Sequence, residues 1–231
     1  MRKTVPLIFW SVAAMCIAYY TTNRNLVKRC IHQFILLGNL LLGQEETNVN
    51  LCTPLGDEIL NLTAGDQVFL SGEIYTARDE AHLRMIKEGI PFDPQGAVIY
   101  HCGPVISGQT LLIAGPTTSA RMNPLTRAML DAGIKGLIGK GGMNAEVREQ
   151  LAGRAVYFAF TGGCANLAAA HMTLTGGYFQ DLGMAEAVWK IQLDNLPLVV
   201  AMDAYGGDLY DSVIQQAQAV FASQQNRKPG K

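Results

Sequence analysis

From residue 67 onward, short apolar runs closed by glycine or proline alternate with segments of helical spacing, and this alternation is what most restricts the fold. Gln67–Leu70, Ala97–Tyr100, Thr110–Ala114, Lys135–Ile138, Ala155–Phe160 and Leu196–Ala201 read as strands. Between them, Asp79–Lys87, Met122–Ala132, Asn144–Leu151 and the small, apolar Gly163–Met172 read as helices, and Leu209–Ala222 reads as a final amphipathic helix. Gly89, Gly133 and the turn at Gly139–Gly142 supply the stops. Alternating elements of this kind predict an α/β layered domain, with function on the loops at strand ends. No period of 20–50 residues recurs, which argues against a solenoid or a propeller.

Charge divides the 231-residue chain near position 45. Residues 1–44 carry five basic side chains and no acidic one, whereas residues 45–231 have a net charge of −6. Within the first part, Pro6–Tyr20 is an uncharged, mostly apolar run behind Arg2 and Lys3, which matches a signal-like pattern and is short for a membrane span. Ile31–Leu42 can form an amphipathic helix. Residues 1–45 are therefore read as an apolar, basic N-terminal helical extension. It is open to three interpretations: an anchor with membrane contact, a genuine extension, or a stretch outside the functional domain. The overall net charge of −1 gives no basic footprint for nucleic acid. The five cysteines are scattered, odd in number and without a CxxC pair, so they form neither a disulfide framework nor a zinc motif. They favour a reducing, cytoplasmic setting.

Three polar loops carry the candidate chemistry. In Tyr75–His82, Arg78 can clamp a carboxylate through its planar fork, while Thr76 or Asp79 can cap the following helix. Arg78 and His82 have a spacing that suits one helix face. In Gly115–Met122, three hydroxyls precede a helix start, and Thr117 and Arg121 lie four residues apart. In Gly139–Gly142, Lys140 sits on a turn after a strand. This loop is not a Walker A motif, because the first glycine position is Ile134 and Lys140 is followed by Gly141. Two arginines, a lysine and several hydroxyls suit a small dicarboxylate. No GxSxG elbow is present. His101-Cys102 reads as a buried strand terminus in preference to a thiol–imidazole pair, and His171 as a packed side chain.

These loops, together with Pro91-Phe92-Asp93, His101-Cys102-Gly103-Pro104 and Leu182–Trp189, carry a resemblance. From about Thr53 to Ala222 the chain resembles the β subunit of class I fumarase and L-tartrate dehydratase, equivalent to the C-terminal domain of single-chain class I fumarases. The resemblance implies a three-layer swivelling β/β/α domain, with residues 46–231 as the catalytic unit. It implies a hydro-lyase acting on a 2-hydroxy dicarboxylate, malate to fumarate first and tartrate as the alternative. It also implies a hetero-oligomer, in which a partner α subunit carries a [4Fe-4S] cluster and this chain supplies no cluster ligand. By the same resemblance, Arg78, Arg121 and Lys140 bind substrate carboxylates and Thr117 is the catalytic base. Asn123 stands where many fumarases carry an acidic residue, which bears on the choice of substrate. A non-catalytic dicarboxylate-binding or assembly module is the competing expectation.

Overall fold

The computed structural model describes residues 48–161 and 165–225. Among them are β1 (Asn48–Cys52), β2 (Gln67–Thr76), α1 (Asp79–Glu88), β3 (Val98–Tyr100), β4 (Val105–Ser107) and β5 (Thr110–Ile113). There follow α2 (Asn123–Ala132), β6 (Gly136–Gly139), α3 (Ala145–Leu151), β7 (Val156–Ala159), α4 (Ala165–Ala169), β8 (Met172–Tyr178), β9 (Val188–Met202) and α5 (Leu209–Gln225). Short 3-10 turns lie at Asp57–Asn61, Ser119–Met122 and Gln180–Leu182. The fold is a mixed α/β one, as the alternation predicts.

The main sheet runs β1-β2-β3-β6-β7-β9-β8, and β2 also pairs with β9. That extra pairing closes β2, β3, β6, β7 and β9 into a five-stranded, barrel-like ring. β2, β3 and β6 are parallel neighbours. Their carboxyl ends therefore emerge side by side, where open α/β sheets place their ligands. β2 and β9 meet antiparallel along nearly all of β2, from Gln67↔Val199 to Tyr75↔Lys190, with a bulge between Leu70 and Gly72. β4 and β5 form a separate hairpin between the loops that follow β3 and precede the Ser119–Met122 turn.

Helices cover one face of the strands. Ala81 and Met85 of α1, Met129 and Leu130 of α2, and Val147 and Leu151 of α3 pack on Ile99, Leu137 and Tyr157. Side chains alternate along a strand, so Val98, Ile138 and Phe158 point away from the helices. They are fully buried as well. Burial of both faces explains why these strands read as continuous apolar runs.

The structure differs from the sequence expectations at several places. The helix expected over Gly163–Met172 is confined, among the described residues, to Ala165–Ala169, and Met172–Tyr178 is a strand. Its two glycines hide the strand signal. A Cβ on Gly177 would come within 2.6 Å of the Trp189 ring, which lies over it from the paired strand. The strand expected at Leu196–Ala201 begins at Val188 and runs unbroken to Met202, with a bulge at which Asn195 has φ +49°. Neither Thr76 nor Asp79 caps α1. Its cap position is Arg78, without a side-chain cap, and Thr76 is buried in the β2–β9 seam. There the Thr76 hydroxyl accepts from Trp189 N at 2.9 Å and lies 3.4 Å from Ala187 O. His171 lies in the turn after α4, not within it, with Nδ1 2.7 Å from Asp194 O. The stretches Pro6–Tyr20 and Ile31–Leu42 lie outside the described residues, so the expected helical extension has no support here. Among the described residues no helix is long and apolar enough to cross a membrane.

The bulge on β2 depends on Gly72, whose φ is +100° and whose Cβ, if present, would lie 2.4 Å from Thr53 Oγ1 and 2.9 Å from Thr53 N. Gly72→Ala combines a disfavoured backbone conformation with a backbone clash. We expect it to cost about 2–4 kcal/mol of stability, read as a lowered urea midpoint.

Candidate active site

Backbone hydrogen bonds stitch the Gly115–Met122 and Gly139–Gly142 loops together at the carboxyl ends of β3 and β6, while Ala77 N, in the Tyr75–His82 loop, donates to Tyr100 O at 3.0 Å. After β3, His101 O accepts from Thr117 N at 2.7 Å, and Cys102 bridges to Pro116. After β6, Lys140 N donates to Thr117 O at 3.3 Å, and Ser119 N donates to Lys140 O at 3.1 Å. The Gly115–Ser119 segment thus behaves as a short extra strand laid across the ends of β3 and β6. Thr117 is fixed beside Lys140 by this stitching. Thr117 and Arg121, four residues apart, do not share a helical turn: Thr117 precedes the 3-10 turn that carries Arg121.

Arg78 and Arg121 reach the same end of the ring from different elements. Arg78 occupies the cap position of α1, and its Nε lies 3.2 Å from Glu186 Oε1, at ion-pair distance but without hydrogen-bond geometry. Gly103 makes room for it, since a Cβ there would come within 2.9 Å of Arg78 Cδ and Nη1. Arg121 Nη2 pairs with Asp79, the residue next to Arg78. The Arg121 side chain is 51% exposed, so this pair contributes at most ~1 kcal/mol. A guanidinium has five donors. Among the described residues, Asp79 engages Arg121 through Nη2, which leaves the donors of Nε and Nη1 outside that pair. Lys140 makes no ion pair among the described residues, and its turn includes Gly141 at φ +74°. Four sequence-predicted residues, Arg78, Thr117, Arg121 and Lys140, thus belong to loops that meet at one end of the ring.

Beneath this rim lies a buried polar layer that sequence reasoning missed. His101 Nδ1 is 2.8 Å from Ser119 Oγ, Tyr157 Oη is 3.1 Å from Ser119 Oγ, and Tyr157 Oη is 2.7 Å from Gly141 O. His101 is indeed a buried strand terminus, and its partner is a serine, not the neighbouring thiol. Burial pushes the Cys102 thiol up to about 12, against a smaller opposing effect of Arg78, so it remains protonated at neutral pH. His82 does not share a ligand-facing helix face with Arg78. It is buried, and its Nδ1 bonds Arg78 O at 2.8 Å, which anchors the Arg78 backbone. The hydroxyl-rich loop was visible in sequence, but the reach of Ser119 to β3 and β7 depends on the tertiary fold. Among the described residues no group of three His, Cys, Asp or Glu side chains is arranged to hold a metal ion.

The site thus gathers cationic and hydroxyl groups on strand-end loops above a closed ring. A profile of the family described as Fumarase C-terminus matches residues 33–213. The chain is 42% identical over 170 residues to a protein of Methanocaldococcus jannaschii named "Putative L(+)-tartrate dehydratase subunit beta", covering 68% of this chain and 87% of that one. It is 32% identical over 187 residues to the L(+)-tartrate dehydratase subunit beta of Escherichia coli K12, covering 76% and 91%. It is also 33% identical over 178 residues to a "Putative fumarate hydratase class I" of Geobacillus stearothermophilus, covering 73% of this chain and 35% of that longer protein. The chain belongs to the Fumarase C-terminus family, as its loops led us to expect.

The buried histidines make stability sensitive to mild acid. Burial holds His101 well below the ordinary imidazole range, with His82 adding to the effect, and burial lowers His82 despite its bond to Arg78 O and the nearby Asp79. Both are therefore neutral in the folded chain. Below the unfolded value of about 6.5, the unfolded state takes up protons that the folded state refuses. Stability should be level from pH 8 to 7 and fall as pH drops from 6.5 towards 5, by up to about 1.4 kcal/mol per pH unit for each histidine. Urea midpoints across this range test it. His101→Asn should make the acid limb shallower, and an unchanged limb would rule out His101 as a contributor.

Proposed function

We propose that this chain is the β subunit of a hydro-lyase that reversibly dehydrates a 2-hydroxy dicarboxylate, with malate to fumarate as the leading reaction. The observation that carries the proposal is the meeting of the Arg78, Thr117, Arg121 and Lys140 loops at the carboxyl ends of β2, β3 and β6, in a chain of this family. L-tartrate is the second reading. It is favoured by the two β-subunit relatives named for it, which this chain covers over 87% and 91% of their lengths.

Dehydration removes a weakly acidic proton from the carbon next to a carboxylate and expels hydroxide from the neighbouring carbon. Thr117 is proposed to take the proton on its hydroxyl oxygen. An unperturbed threonine is far too weak a base, so the cations of Arg121 and Lys140 must favour the alkoxide. The negative charge that develops spreads into the carboxylate, where the arginines and the lysine stabilise it more than in the ground state. Arg78, held by Gly103 and Glu186, is proposed to grip the second carboxylate and set the orientation of the substrate.

The hydroxide is proposed to leave with help from a partner subunit. The described residues offer no donor set for an iron–sulfur cluster: Cys102 is a buried, protonated thiol and Cys52 is an exposed one. As the family resemblance implies, a [4Fe-4S] cluster is proposed to sit on an α-type partner, where an open iron would supply Lewis acidity to the departing hydroxyl. The ring with one helical layer is compatible with the three-layer swivelling arrangement, in which this domain closes over the partner.

The test is anaerobic co-expression with a cluster-bearing α-type subunit, followed by separate assays with malate and L-tartrate. The wild-type complex should turn over one of them. Thr117→Ala should lower kcat by about 10²–10⁴-fold, with complex formation and substrate binding kept. Turnover unaffected by Thr117→Ala would remove Thr117 as the base. A loaded, assembled complex that binds either acid without converting it would favour the non-catalytic binding module.

A further inference from the structure

We propose that His101, Ser119 and Tyr157 are positioning residues that hold the Lys140–Gly142 turn against the Thr117 loop through a one-way hydrogen-bond chain, with His101 as its Nδ1–H tautomer. The direction of the chain follows from counting protons. Tyr157 Oη lies 2.7 Å from Gly141 O and 3.1 Å from Ser119 Oγ. A phenol carries one proton and a carbonyl carries none, so the Tyr157 proton goes to Gly141 O. Towards Ser119, Tyr157 can then only accept, and the single Ser119 hydroxyl proton completes that bond. His101 Nδ1, 2.8 Å from Ser119 Oγ, must in turn donate.

The chain therefore runs from His101 Nδ1–H to Ser119, from Ser119 to Tyr157, and from Tyr157 to Gly141 O. It leaves a bare lone pair on His101 Nε2, which is buried and makes no hydrogen bond among the described residues. The opposite tautomer would bury an unpaired N–H there and set two hydroxyl lone pairs facing each other. Buried, unpaired N–H groups are the rarer defect in native proteins. His82 follows the same rule, since its Nδ1 faces the carbonyl of Arg78 at 2.8 Å and must donate.

The geometry also says what the chain is for. His101, Ser119 and Tyr157 are each 0% exposed, so none of them can meet a ligand from solvent. What they touch is the backbone around Lys140. Ser119 N bonds Lys140 O, Tyr157 bonds the next carbonyl, and Lys140 N bonds Thr117 O. Position 139 must be glycine for the chain to pass, because a Cβ there would lie 1.8 Å from Ser119 Oγ and 3.1 Å from His101 Nδ1. The ammonium of Lys140 and the hydroxyl of Thr117 are thereby held in one register. The functional part of this inference rests on Lys140 binding a substrate carboxylate, as proposed above.

Two experiments separate the inference from that reading. The first needs no activity. The full chain, labelled with ¹⁵N-histidine and assembled with its unlabelled partner, contains four histidines. The His101 signals, recognised by their displacement in Ser119→Ala, should show a protonated Nδ1 and a bare Nε2 near pH 7.5; a protonated Nε2 would overturn the chain. The second is a double-mutant cycle of Tyr157→Phe and Lys140→Ala, assayed with malate or L-tartrate. Tyr157→Phe should raise KM about tenfold with a smaller change in kcat, and less than about twofold where Lys140 is already alanine. An equal factor in both backgrounds would show a general structural effect and overturn the positioning role. Should Tyr157→Phe fail to fold, Ser119→Ala takes its place in the cycle. The predicted tautomer without turnover of either acid would leave the hydrogen-bond chain standing and remove the reaction proposed for the site.

Discussion

The antiparallel seam between β2 and β9 is the constraint on which the rest of the structure depends. Without it the sheet would be an open ribbon, with β2 and β9 ending on different sides. With it, β2, β3, β6, β7 and β9 close into a ring. The seam is long, and it is broken by one bulge, where Gly72 on one strand and Asn195 on the other take positive φ. Thr76 ties its far end by accepting from Trp189 N. Closure removes the exposed edges that such strands would otherwise present. It also brings the ends of β2, β3 and β6 to one side, where the helices begin.

On the polar rim, cationic side chains are balanced by acidic ones. Each arginine is held by a carboxylate of the same chain, Arg78 by Glu186 and Arg121 by Asp79. These pairs are partly exposed and weak, so they orient the guanidinium groups without closing them to a second anion. Lys140 has no such carboxylate among the described residues; its turn is held through backbone bonds and through Tyr157. Glu186 also accepts from Glu80 N at 3.2 Å, which joins the β8–β9 connection to the start of α1. The connection that bears Glu186 is thus part of the site, although it lies more than 100 residues from Arg78 in the chain.

Below the rim the chemistry changes character. His82, His101, Ser119 and Tyr157 are buried polar groups, and such groups are costly unless they are paired. Here the pairing is nearly complete, with His101 Nε2 as the exception. A layer of this kind gives the loops above it a single arrangement, because each alternative would leave a buried donor without a partner. Gly139 and Gly103 contribute by what they lack. At both positions a methyl group would collide with a side chain of the site, so small residues on the rim mark close packing and not only loop flexibility.

The chain's sequence by itself determined the α/β class and the family, and it marked the polar loops as candidates. The apolar runs on β3, β6 and β7 are legible because both faces of those strands are buried. Thr117, Arg121 and Lys140 are legible because hydroxyls and cations recur beside glycine turns at strand ends. Strand β8 was not legible, since Gly176 and Gly177 erase its pattern, and Gly177 makes sense only under Trp189 of β9. Nor was the pairing of Arg78 with Glu186, the reach of Ser119 to His101 and Tyr157, or the closure of the ring. Each depends on contacts between segments far apart in the chain, and local spacing carries no record of which distant segment will lie opposite. Tertiary structure decided those pairings, and with them whether a hydroxyl, an imidazole or a guanidinium faces the ligand or supports the residue that does.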